Sequence, residues 1–240
     1  MKASILYLYY DFMNLYGDNG NVRIMEKRLR DQGFEVEIVR KTITDNDINF
    51  DGFDFIYCGS GTESRRFAAA GHLKKFEDGL KEAAASGIPM LFTGNAWGML
   101  GNSITSLEGK RTEGLGLFGF DVKEEIKQRF TGDAVLSADG FDSPFIGFIN
   151  KCDVIDNLDG FYFRVVKTIG RIPYSADGVR NNNLFGIRSQ INQFLQLDVK
   201  NPQNNISDLI NNYFSPKIGT GNFLCNNCGL HGKKLRTIHC

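Results

Sequence analysis

Residues 4–10 (SILYLYY) form a continuous apolar and aromatic run, the pattern of a buried strand. A loop rich in Gly, Asp and Asn follows over 11–21. Val22, Met25 and Leu29 then recur at helical spacing, and Gly33 is a stop signal. Residues 34–40 (FEVEIVR) alternate apolar and polar, as a half-buried strand does. Residues 53–59 (FDFIYCG) and 89–94 (PMLFTG) read as third and fourth strands. Between them, Leu73, Phe76, Leu80, Ala83 and Ala84 mark one face of a helix, with Glu77 and Lys81 spaced for an i,i+4 ion pair. That reading starts the helix near His72 and leaves His72 on the surface. Residues 95–101 (NAWGMLG) carry the fourth strand into a further helix.

Strands alternating with helices imply parallel strands joined by crossovers. The fold expected is α/β: an open, mostly parallel sheet with helices on both faces. Sites in such sheets form at the carboxyl ends of strands. Two turns fall there, residues 58–64 (CGSGTES) and 93–98 (TGNAWG). The second half has only short apolar runs, 145–149 and 160–166, among many Gly and Asn residues. It predicts shorter, partly antiparallel additions to the sheet. Residues 181–183 (NNN) and 201–205 (NPQNN) read as loops. The organisation expected is one domain over 1–215 and a tail over 216–240.

Composition adds exclusions. Apolar residues make up 42% of 240, enough for a substantial core. Lys plus Arg equals Asp plus Glu, 28 each, which points away from nucleic acid and from a membrane surface. Asp11 interrupts the first apolar run where a signal peptide would continue, and no stretch is long enough to insert into a bilayer. Five cysteines form an odd, sparse set rather than a disulfide framework, so a reducing, cytoplasmic setting is expected. The domain calls for no cofactor. The tail holds Cys225-x-x-Cys228, a metal-ligand spacing, and His231 and Cys240 could complete four zinc ligands. A tail with incidental cysteines is the alternative.

Residues 8–22 (LYYDFMNLYGDNGNV) resemble the opening of the amidotransferase domains of lipid II isoglutaminyl synthases and cobyric acid synthases. That opening is a strand, then Asp-x-Met-Asn-x-Tyr-Gly-Asp-x-Gly-Asn entering a helix. Further blocks agree in order. Residues 57–66 (YCGSGTESRR) are similar to the family's Gly-Gly-Gly-Gln-Asp loop, and 89–101 to its elbow block. Residues 112–133, 145–151, 177–186 and 200–202 complete the series. The resemblance spans roughly 4–215, within the usual boundary uncertainty. It implies the flavodoxin-like amidotransferase fold and a stand-alone subunit beside a separate Mur-ligase-like ATPase chain. No Gly-x-x-x-x-Gly-Lys-Ser/Thr phosphate loop is present in this sequence.

Hydrolysis of a glutamine amide needs a nucleophile on a tight strand-to-helix turn, a proton shuttle, and N–H donors for the oxyanion. The resemblance implies that Gly59, Ser60 and Gly61 supply the donors, with Asn95 beside the turn and Arg129 at a position touching substrate or partner. It places the family's cysteine on Gly94, with Thr93 one step away, and the family's histidine on Gln190. Neither Gly94 nor Gln190 can do the required chemistry. Ile149 and Lys151 likewise replace the Glu and His of the Gly-Phe-Glu-Asn-His segment. The reading is therefore a degenerate subunit that partners a ligase or binds glutamine or a related amide. Two alternatives stand beside it. One is an active glutaminase supplying ammonia for amidating a cell-wall precursor or a cobyrinic acid carboxylate. The other is a hydrolase using Cys58, beside the glycine loop; a buried structural cysteine is the plainer reading of that residue.

Overall fold

A computed structural model describes residues 1–124, 129–138, 145–157, 163–170, 176–181 and 184–187. Strands β1 (Lys2–Leu8), β2 (Glu35–Lys41), β3 (Phe55–Cys58) and β4 (Met90–Thr93) are parallel neighbours in the order β2-β1-β3-β4. Each ends within a residue or two of where its apolar run ends. Every residue of β3 and β4 is buried, so both faces of the sheet centre are covered.

Helix α1 (Asp18–Asp31) buries Val22, Met25 and Leu29, the spacing read from the sequence. On the way back to the sheet come α2 (Glu63–Leu73), a 3₁₀ turn (Lys74–Phe76) and α3 (Glu77–Ala85). This corrects the single helix expected from about residue 72. His72 closes α2 rather than opening a helix, and it is buried rather than on the surface. Its ring sits between Tyr9 Oη at 3.0 Å and the Asp45 carbonyl at 3.0 Å. The Glu77–Lys81 pair does form, at the start of α3. One large core joins Leu6, Ile56 and Phe92 of the sheet to Ala69, Leu73 and Leu80 of the helices.

The expected helix after β4 is a tighter 3₁₀ segment, Gly94–Leu100, buried throughout. Next come β5 (Ser103–Thr105), β6 (Arg111–Glu113), β7 (Asp121–Glu124), β8 (Phe130–Ala138), β9 (Phe145–Lys151) and β10 (Asp153–Asp156). Strands β10, β7, β5 and β6 make a separate small sheet. The last strands are β11 (Phe163–Gly170), β12 (Ala176–Asn181) and β13 (Leu184–Ile187). β13 returns parallel to β4, and β12, β11, β8 and β9 extend the main sheet antiparallel from it. The sheet is thus parallel at its centre with antiparallel additions from the second half. Gln190, the boundary at 215 and the tail with Cys225, Cys228, His231 and Cys240 lie outside the described residues.

Arg66 ties α2 to the small sheet. Its guanidinium is buried, with Nη2 on Glu124 of β7 at 2.6 Å and Nη1 on Asp153 of β10 at 2.6 Å. Among the described residues, no helix is long and apolar enough to cross a membrane.

Candidate functional site

The parallel register sets Leu8, Cys58 and Phe92 side by side, so the segments after β1, β3 and β4 emerge at one edge. These are the 9–17 loop, the 59–62 loop and the turn at Gly94. The loops touch closely. A Cβ on Gly59 would lie 2.4 Å from the Met13 carbonyl oxygen, and one on Gly61 would lie 2.5 Å from Met13 Sδ. At Gly59 the obstacle is backbone, and only glycine permits that approach. Leu15 N–H donates to the Ser60 carbonyl at 2.8 Å, and Thr62 caps α2 by accepting from Arg65 N–H.

Thr93 is extended, and Gly94 turns the chain at φ 58° before the 3₁₀ segment begins. The left-handed value costs an ordinary L-residue about 1–2 kcal/mol but costs glycine nothing comparable. A sharp strand-to-helix turn is therefore present, with no side chain at its apex.

Asn95 joins this turn to the glycine loop. Its Oδ1 accepts from Gly61 N–H at 3.0 Å and from Ser60 Oγ at 3.2 Å, and its Nδ2 donates to the Gly61 carbonyl at 2.7 Å. The Asn95 N–H donates to Ser60 Oγ at 3.3 Å. Ser60 is 1% exposed and Asn95 9%.

Asp18, the first residue of α1, is the acidic centre that the sequence reading missed. It is 1% exposed. Its Oδ1 accepts from Tyr57 Oη and Thr93 Oγ1, each at 3.1 Å, and Asn21 Nδ2 supports Tyr57 Oη at 2.8 Å. Burial raises the Asp18 pKa; the bonds from Ser60, Thr93, Tyr57 and Tyr16 oppose that rise. Sequence offered one hint, an Asp between Gly17 and Gly20 at a helix start. Burial and the partners 39 and 75 positions away were not legible locally.

Arg129 lies at the margin. Nη1 pairs with Glu63 of α2 at 2.8 Å, while Nε and Nη2 hold Asn150 Oδ1 at 2.6 Å and the Asn150 carbonyl at 3.1 Å. The Arg129 charge opposes the rise that burial causes in the pKa of Tyr16, a residue of the 9–17 loop. Cys58 sits elsewhere, in the core cluster, with its Sγ aimed at the Gly59 carbonyl at 3.7 Å. Burial pushes its thiol well above the ordinary 9.0, so it is protonated and a poor nucleophile. His72, the one histidine among the described residues, has both ring nitrogens committed to Tyr9 and Asp45. The structure thus brings together Gly59, Ser60, Gly61, Gly94 and Asn95, and among the described residues it gives the Cys58 alternative neither a thiolate nor a free histidine. Ile187 of β13 pairs with Thr93, so the strand leading toward Gln190 ends beside the turn.

Comparison with known proteins agrees with this arrangement. Residues 4–186 match the model of the CobB/CobQ-like glutamine amidotransferase domain. The GatD subunit of lipid II isoglutaminyl synthase (glutamine-hydrolyzing) from Staphylococcus aureus is 28% identical over 193 residues, covering 77% of this chain and 75% of that protein. The Streptococcus pneumoniae GatD subunit is 26% identical, covering 77% and 72%. Among solved structures, PurLQS from Thermotoga maritima superposes with a TM-score of 0.59 at 18% identity, covering 90% of this chain and all of that one. A glutamine amidotransferase from the same organism gives 0.52 at 14% identity, covering 78% and 75%. At these identities the two structures speak to fold alone. With the strand order, the turn at Gly94 and the glycine loop in place, the chain belongs to the CobB/CobQ-like glutamine amidotransferase domain family.

Proposed function

We propose that this chain is an amidotransferase-like subunit of the lipid II isoglutaminyl synthase or cobyric acid synthase type that does not itself hydrolyse glutamine. It serves as the partner, or amide-binding subunit, of a Mur-ligase-like ATPase chain. One observation carries the reading: the strand-to-helix turn is kept, with Gly94 at φ 58°, while its apex carries no nucleophile. Covalent catalysis at that apex has no atom to begin with. Cys58 does not substitute, because its protonated thiol is buried in the core. The relatives' names as synthase subunits support a role beside another chain.

The test is the nitrogen source. A Mur-ligase-like partner is assayed for amidation of its acceptor, with and without this chain, on glutamine or on ammonium. The reading predicts that the chain supports amidation from ammonium and gives none from glutamine. Amidation from glutamine that depends on this chain would overturn it.

A further inference from the structure

We infer that Asn95 is a built-in ligand: its side-chain carboxamide fills, in cis, a primary-carboxamide site formed by Ser60 and Gly61. This rests on the proposed loss of glutamine hydrolysis and says what now occupies the old site.

The geometry is that of recognition rather than incidental contact. A primary carboxamide offers an oxygen with two lone pairs and an NH₂ with two donors. Both lone pairs of Asn95 Oδ1 are used, by Gly61 N–H at 3.0 Å and Ser60 Oγ at 3.2 Å. Its NH₂ meets the carbonyl of that same Gly61 at 2.7 Å. One residue thus reads both ends of the amide. The orientation is fixed, since turning the amide over would set oxygen against the Gly61 carbonyl. A carboxylate could not replace it, because it lacks a donor for that carbonyl.

Backbone N–H groups of the loop and turn are engaged as well. Gly61 N–H is taken by Asn95 Oδ1 and Asn95 N–H by Ser60 Oγ. An oxyanion or a glutamine amide would have to displace groups already held in place by the chain. A tethered group wins that competition against a millimolar solute, because its effective concentration is far higher. The unaltered chain therefore does not take free glutamine through this loop, which favours the partner role over the amide-binding one.

Asn95→Gly removes a group equal in size and chemistry to acetamide, which makes acetamide the probe. Melting temperature is measured for both chains against rising acetamide, with acetate as control. The variant should show a saturable rise, about 3–5 °C at ten times the dissociation constant. The unaltered chain should show none, and acetate should do nothing in either. An equal response in both chains, no response in the variant, or protection by acetate would each overturn the inference.

Should the variant fail to fold, NMR on the unaltered chain decides. The Asn95 side-chain amide proton donated to the Gly61 carbonyl should exchange slowly, with a coupling across the bond from Gly61 N–H to Asn95 Oδ1. Fast exchange with no coupling would contradict the clasp. Glutamate release, measured separately, tells the two readings apart. Release by the unaltered chain would sink the proposed function, whereas an unresponsive variant with no release would sink only the role of Asn95.

Discussion

At the residue scale the site depends on two glycine requirements and one buried acid. Gly59 is fixed by contact with the backbone of the 9–17 loop, and Gly94 by its positive φ. The sequence made these positions legible because glycines at strand ends are a strong local signal. It did not show Asp18 or the Asn95 clasp, since those depend on partners 34 to 75 positions away. It also misread His72 as a surface residue, because its burial comes from Tyr9 and Asp45, far off in the chain. One substitution separates backbone from chemistry. Gly94→Cys puts a side chain at φ 58°, so it should lower stability by about 1–2 kcal/mol in chemical denaturation. It should also leave glutamine hydrolysis at background, because the neighbouring N–H donors stay occupied and His72 stays committed. Vigorous turnover from that single change would mean that the donors are free and a base is close by.

At the element scale the parallel centre was legible and the helical layer only in part. Continuous apolar runs located β1, β3 and β4, and alternation located β2. Helix α2 escaped because its inward face carries Arg66 beside Ala69, Ala70 and Leu73, which breaks the apolar spacing. The reading therefore began at Leu73, where large side chains resume. Arg66 is inward because Glu124 and Asp153 await it on two strands of the small sheet. Neither partner is readable from α2, being 58 and 87 positions away. Arg66→Met removes the guanidinium that pairs with two buried carboxylates and should cost about 3–5 kcal/mol. Adding Glu124→Gln and Asp153→Asn should recover much of that loss in the same denaturation experiment. No recovery would mean that packing of the Arg66 stem, rather than charge pairing, holds α2 to the small sheet.

At the scale of the whole molecule, the fold that sequence implied is the one observed: a parallel centre extended by antiparallel strands from the second half. Family membership was legible for the same reason, since its motifs fall where the chain must turn at strand ends. The proposed function depends on a strand-to-helix turn with Gly94, and so no side chain, at its apex. Glutamate release from glutamine by the purified chain, alone and with a Mur-ligase-like partner, tests that most directly. Release is predicted to stay at the uncatalysed background in both cases. Release that scales with the amount of this chain, in either case, would contradict the account.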